Sequence, residues 1–510
     1  MLPDDILLAV FDFCADKNEI TEKDSEAWQT LVHVCHRWRS VVFESPRRLN
    51  LRLVCTSRTP ARKTLDAWPA FPLVIQCDCR YSMAIESMDN IVAVLERRDR
   101  VCQIILVVFK SLHLETVSAA MQKPFRKLTR LQLWSYDDTM SVLPDSFLDG
   151  YAPRLRILSL LGIPFPGLTN LLLFTIHLVH LHLFDIPHSG YFSPEAMVTA
   201  LSSLTRLELF LVEFQSPRSL PDPQSRLPPP PTRFVLPVLT HFAFKGVGEY
   251  LDDLVAGIDA PQLYNLHITF FNQIVFDTPQ LIQFINRTPT LKLFEKASIA
   301  FKDGVANINL SSRSSCYEEL DVRIPCKELD WQISSVEQVL TSCLPPLPTL
   351  EDLYISEKPS WQSDWQDNIE NTLWLELLHP FTAVKNLYLS KDSARRIWPA
   401  LQEIFGDAAT EVLPALEIIF LEGLQEWKQE DTKKLVAMRT AGGHPITISH
   451  WNIIFPDKRP PSLTLLPVFK TDRPFVASTY TLTEAEKLER ERMKPSPRFR
   501  QISRRLRAMV

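Results

Sequence analysis

Glycine is scarce in this sequence, 12 residues among 510, about a third of the usual share of roughly 7%. Folds that cradle phosphate need glycine where backbone must approach the ligand. Neither GxGxxG nor GxxxxGK(S/T) occurs, and the nearest pair, Gly246 and Gly248, lacks the rest of either pattern. That argues against dinucleotide and P-loop chemistry. The nine cysteines are scattered and odd in number, and no CxxC is present. The CxC at Cys77 and Cys79 has no partner pair at zinc spacing, so the cysteines read as reduced, small buried hydrophobes. GxSxG and HExxH are missing too. No catalytic residue is assigned, the chain is read as no enzyme itself, and no cofactor or metal is expected. An excess of basic charge is also lacking: Lys+Arg is 55 against Asp+Glu 60, a net charge of −5, so nucleic acid is not an expected partner. Long apolar runs are absent. The longest, Leu171 to Phe184, is interrupted by three histidines and falls short of a membrane span. Asp4 and Asp5 precede the first apolar run with no basic region before them, unlike a signal peptide. No membrane partner is expected, and the cytoplasm or nucleus is the expected location.

What is present is a repeat. Beyond residue 100 the pattern apolar-x-x-apolar-x-apolar recurs as VCQIIL (101), LTRLQL (128), LRILSL (155), LVHLHL (178), LTRLEL (204), LTHFAF (239) and LYNLHI (263). It continues as YEELDV (317), LEDLYI (350), VKNLYL (384) and LEIIFL (416), with FEKASI (294) a degenerate copy. The apolar positions at the end of each copy alternate as a strand requires. Helix candidates lie between copies, among them AMVTALSSL behind a Ser193-Pro194-Glu195 cap, YLDDLVAGI, TPQLIQFINR, SSVEQVLTSC, ARRIWPALQEIF and DTKKLVAMRTAGG. Strand–loop–helix units at this period predict an irregular solenoid like that of leucine-rich repeats, over 96–455. Short strands near 49–53 and 71–75 are expected to cap its beginning within a linker over 49–95, and HPITISHW (444–451) to close it. The eight prolines of 217–237 read as a loop inserted into one repeat, with a polyproline ligand as the alternative. Residues 456–510 read as a polar, basic tail. Its last stretch, 484–510, holds nine Lys+Arg and four Glu; a nuclear-import or nucleic-acid patch is the alternative reading there.

The first fifty residues differ from the rest. Ile6, Leu7, Val10, Phe11 and Cys14 follow helical spacing behind Pro3, Asp4 and Asp5. After a polar stretch, Trp28, Leu31, Cys35, Trp38 and Val42 form a second stripe that Pro46 stops. The LPxxIL start, VCHRWR and the closing SPRRL resemble an F-box over residues 1–48, and the segment after it is similar to the large F-box families of mushroom-forming fungi. The interval from Pro3 to Trp38 is longer than the usual motif, the extra residues falling in the polar stretch. The resemblance implies docking onto the Skp adaptor of an SCF ubiquitin ligase, and through it cullin. Leu2, Pro3, Ile6, Leu7, Phe11, Val34, Cys35 and Trp38 would form or support the docking face. The expected function is then a substrate receptor whose repeat domain binds an as yet unidentified protein target. A repeat scaffold acting outside a ligase is the alternative.

The target surface is sought on the sheet face. The residues just after the last apolar strand position are Trp134, Leu161, Phe184 and Phe210, then Lys245 and Thr269. Stacked repeats would line the first four into an apolar column, with Gln132, Ser159, His182 and Glu208 beside it. Trp134, Leu161, His182, Phe184 and Phe210 are therefore the candidate target-binding residues. His180 and His182 share one strand face and could in principle share a metal; two surface histidines is the simpler reading.

Overall fold

A computed structural model describes residues 3–15, 30–46, 49–57, 59–78, 85–108, 111–137, 141–217, 232–271, 276–292, 294–302, 304–312, 319–357, 369–407, 412–422, 429–441 and 444–451. Leu2, most of the 217–237 proline segment and the basic tail lie outside the described residues. The described chain falls into two compact units, one up to Cys77 together with 85–102, the other from Gln103 onward.

In the first unit a helix spans Asp4–Ala15, its two aspartates at the favourable end of the helix dipole. The predicted stripe from Trp28 to Val42 is not one helix. The chain turns at His33–Val34, and a new helix, His36–Glu44, starts behind Cys35. Cys35 is extended (φ −160°, ψ 169°), and its Sγ accepts from the Trp38 N–H at 3.5 Å. A side-chain acceptor at that place satisfies one of the orphan N–H groups of a helix start. Beyond the helices come β1 (Leu53–Cys55), the helix Ala61–Ala67, β2 (Leu73–Asp78), parallel to β1, and the helix Ile85–Leu95. Leu7, Leu8, Phe11, Leu31, Val32, Val41 and Val42 share one core with Leu49, Leu51 and Phe71. The front helices therefore complete their core with residues 49–71, as expected of a helical piece too small to be stable alone.

The second unit is a strand ladder backed by helices. Its strands are β3 (Val101–Val108), β4 (Arg130–Ser135), β5 (Ile157–Leu161), β6 (His180–Ile186), β7 (Leu209–Phe214), β9 (His241–Gly246) and β11 (Asn265–Phe270), each parallel to the next. A small pair, β8 (Phe234–Val235) and β10 (Ile258–Asp259), sits apart. The order then inverts. β11 pairs with β14 (Glu319–Pro325), β14 runs antiparallel to β13 (Val305–Ser311), and β13 runs antiparallel to β12 (Lys296–Lys302). β12 in turn carries β15 (Asp352–Glu357), β16 (Asn386–Leu389), β17 (Ile418–Glu422) and β18 (Thr447–Trp451), all parallel. Within the described residues this is a mixed α/β repeat array with a long, mostly parallel sheet. Its form is that of a leucine-rich-repeat-like solenoid, interrupted once by an antiparallel strand.

The fourth position of each copy faces the helices. Leu131, Leu158, Leu181, Phe210, Phe242, Leu266 and Leu320 are in register across seven strands and all buried. The helix Pro194–Leu201 starts behind Ser193, whose Oγ accepts from the Ala196 N–H at 3.3 Å. The helix Pro279–Arg287 is capped by the preceding repeat instead. Asp252 accepts from the Gln280 and Leu281 N–H groups at 2.8 and 3.0 Å. At the end of β5, Gly162 holds φ +65°, and a Cβ there would meet the Ser135 carbonyl oxygen at 2.6 Å, so no larger residue keeps β4 and β5 this close.

One strand departs from the expected frame. The copy at 204 was expected to place Leu207 opposite Leu181, but Phe210 pairs with Leu181. The strand motif is therefore Leu207-x-x-Phe210-x-Val212, three residues later, and Leu204 to Leu207 form a turn in which the Leu207 N–H donates to the Leu204 carbonyl at 3.1 Å.

Candidate functional site

In the first unit the eight residues of the expected adaptor face divide. Leu7 and Phe11, four apart on one helix face, are buried in the core, and Trp38 is half-buried with its ring 4.9 Å from that of Phe11 in an edge-on contact. These three support a surface rather than form it. Pro3, Ile6, Val34 and Cys35 are exposed, Ile6 at 49% and Val34 at 58%. Val10, four residues after Ile6, is exposed as well, so the helix Asp4–Ala15 keeps an apolar row in water beside its buried stripe. Arg37 reaches back to Asp4 at 2.6 Å and ties the start of that helix to the second one. Leu2 lies outside the described residues.

In the second unit the open face of the sheet is built from alternate strand positions. Trp134, Leu161 and Phe184 are in register, but the expected exposed column is not found. Trp134 and Leu161 are buried, as is the neighbouring His182, and only Phe184 is half-buried, so Trp134, Leu161 and His182 are corrected as exposed target-binding residues. Phe210 is not in that column. The shifted frame turns it inward, where it is 0% exposed and stacked on Phe242 at 5.2 Å with 5° between the planes. Its assignment as a target-binding residue is corrected on that ground. Glu208 is displaced by the same shift, and Leu211 takes the place beside His182. After Phe184 the chain bulges. Asp185 adopts φ 47° and holds Lys245 at 3.0 Å, so an ion pair ends the apolar column.

The adjacent row carries the more unusual chemistry. Gln132, Ser159 and His182 are in register across β4, β5 and β6. Ser159 accepts from the Trp134 indole N–H at 3.1 Å, so the indole lies against it. His182 stacks on His180 at 5.9 Å with 8° between the rings. Burial, reinforced by His180 and Arg130, pushes the His182 pKa down to about 3. Burial also lowers His180, against the pull of Glu208, and lowers Arg130. Desolvation penalises the charged form of each, so His182 is a neutral imidazole. Among the described residues no group of three or more His, Cys, Asp or Glu is placed to hold a metal. Burial pushes the Cys55 thiol up to about 11 and the Cys343 thiol up to about 12, which keeps both protonated. No helix among the described residues is long and apolar enough to cross a membrane.

Further along, Tyr354, Tyr388 and Phe420 occupy the fifth place of successive copies. They stack at 4.2 Å and 4.4 Å with planes within 9°, half-buried on the open face. This ladder is a second candidate surface that single-copy reading misses. Its signal is the Y, Y, F in LEDLYI, VKNLYL and LEIIFL. Between the two regions Asp321 is buried. Burial opposes its charge, but hydrogen bonds from His267 and Arg323 outweigh that and hold its carboxyl below the usual range.

No family model matches the sequence, and no curated protein matches it. Among solved structures it is similar to an internalin from Listeria monocytogenes, at 12% identity and a TM-score of 0.26, covering 72% of this chain and 94% of that one. A likeness of that size carries no argument; the repeat architecture stands on the pairing of the strands.

Proposed function

We propose that the chain is the substrate-recognition subunit of an SCF-type ubiquitin ligase, docking the Skp adaptor with its front helices and a target protein with the repeat sheet. The observation that carries the first half is the apolar row Ile6 and Val10, kept in water behind Pro3 while Leu7 and Phe11 hold the core. Exposed apolar side chains grouped on one face mark interaction surfaces. The second half is supported by the half-buried Phe184 and the half-buried ladder of Tyr354, Tyr388 and Phe420 on the sheet. The chain itself performs no covalent step in this reading. It contributes proximity, turning an encounter between ligase and target into a local one.

Co-purification of the Skp adaptor tests the reading. Ile6→Arg with Val10→Arg should abolish adaptor recovery and leave the melting temperature within a few degrees, because neither side chain is in the core. Adaptor recovery equal to wild type would overturn the docking assignment.

A further inference from the structure

The face of β4 to β6 opposite Leu131, Leu158 and Leu181 carries polar groups that the described fold does not satisfy. Gln132 is 1% exposed and His182 3%. Among the described residues, neither amide atom of Gln132 and neither ring nitrogen of His182 has a hydrogen-bond partner. Nε and Nη2 of Arg130, two residues before Gln132 on the same face, are equally unpartnered. Each such group loses its water without recompense, so native folds leave few of them. Here three occur within three neighbouring strands, Arg130 and Gln132 on β4 and His182 on β6, with Ser159 of β5 between Gln132 and His182. Arg130 and His180 are half-exposed, whereas Gln132 and His182 are buried.

The unpartnered set defines what would satisfy it. Arg130 offers a planar pair of N–H donors, the geometry that matches a carboxylate. Gln132 offers both a donor and an acceptor, and a neutral imidazole offers one of each. A simple anion could use only the donors. An extended peptide with an acidic side chain supplies the carboxylate and, from its own backbone, the N–H groups that the Gln132 oxygen and one His182 nitrogen require. Long-range charge points the same way. Arg126 and Lys127 enter β4, Arg154 and Arg156 enter β5, and Arg206 precedes β7, all exposed. At His180 the exposed Glu208 acts against Arg130 and Arg156. Basic residues of this kind steer an acidic segment to the face.

We propose that the face formed by Arg130, Gln132 and His182 binds a carboxylate side chain within an acidic peptide segment of the target protein. This rests on the reading of the repeat sheet as the target-binding part, and not on the adaptor assignment. The test pans a random decapeptide display library on the full-length chain, then measures the best selected peptide by fluorescence anisotropy. Selected sequences should be enriched in Asp and Glu. Replacing the acidic residue by its amide should weaken binding by about tenfold to a hundredfold, the usual worth of a hydrogen-bonded charge. Arg130→Gln should cost as much, with the melting temperature little changed, and Gln132→Leu should weaken binding without unfolding. Recovery of no peptide, selection without acidic preference, or wild-type affinity in Arg130→Gln would overturn the proposal. Adaptor co-purification on the same samples keeps the two readings apart. Intact adaptor recovery without peptide preference sinks only this site, and peptide preference without adaptor recovery sinks only the ligase assignment.

Discussion

The three-residue shift in β7 predicts opposite fates for two phenylalanines that the sequence places alike. Phe210 is fully buried and stacked on Phe242. Phe210→Ala leaves a cavity closed on all sides and should cost about 3–5 kcal/mol. Phe184 is half-buried, its ring tilted against His182 at 5.9 Å. Water can fill what Phe184→Ala vacates, so roughly half the transfer term and little cavity term are lost, about 1–2 kcal/mol. At about 2–4 °C per kcal/mol for a unit of this size, the first variant should melt roughly 10 °C below wild type and the second only a few degrees below. Calorimetry on the full-length chain reads the difference, and urea midpoints give an independent check. Equal losses, or a larger loss at Phe184, would refute the register and return Phe210 to the open face.

Three further outcomes are expected. His182→Leu removes a buried ring with two unpartnered nitrogens and should raise stability by about 1 kcal/mol, measured as a higher urea midpoint; a loss above that size would show that His182 is satisfied in the folded chain. Burial raises the Asp252 carboxyl to about 6 although two backbone N–H groups pull it down, so its contribution to stability is fully present below its unfolded pKa of about 4 and is lost as pH rises through 6. Asp252→Asn keeps an acceptor for the helix start and should therefore gain on wild type between pH 4 and pH 7, with a pH-independent difference ruling the assignment out. Truncation after residue 300 removes β14 and leaves the edge of β11 bare, which should cause aggregation by light scattering; a monomeric, soluble product would contradict the single ladder.

Much of the repeat domain is legible in the sequence because each copy encodes a strand with a fixed inward set. Leu131, Leu158, Leu181 and Leu266 fall where the motif puts them. The copy at 204 misleads because Leu204-x-x-Leu207-x-Leu209 and Leu207-x-x-Phe210-x-Val212 both satisfy the pattern, and only the partner strand decides between them. The swap of β12 and β14 is illegible for the same reason: an apolar alternation specifies a face, not a neighbour. The column of Trp134, Leu161 and Phe184 can be read from aligned copies, but not the burial of Trp134 and Leu161. Nor can the burial of Gln132 and His182, since glutamine is ordinarily exposed and histidine only intermediate. In the front helices the amphipathic spacing gives the buried side, yet the break at Cys35 leaves that spacing intact and so hides itself.

The inverted order of β12, β13 and β14 bears on how the chain is assembled. In an uninterrupted array each new repeat docks on the one just made, so growth can follow synthesis from one end. Here β11 cannot be extended by the next strand to emerge. Its edge waits until the whole of β12 and β13 has passed and β14 arrives, and only then does β13 join β14 to β12 and make a fresh template for β15. The interval between β11 and β14 is thus a programmed pause with an open strand edge, the moment at which a nascent chain of this protein would most need a chaperone.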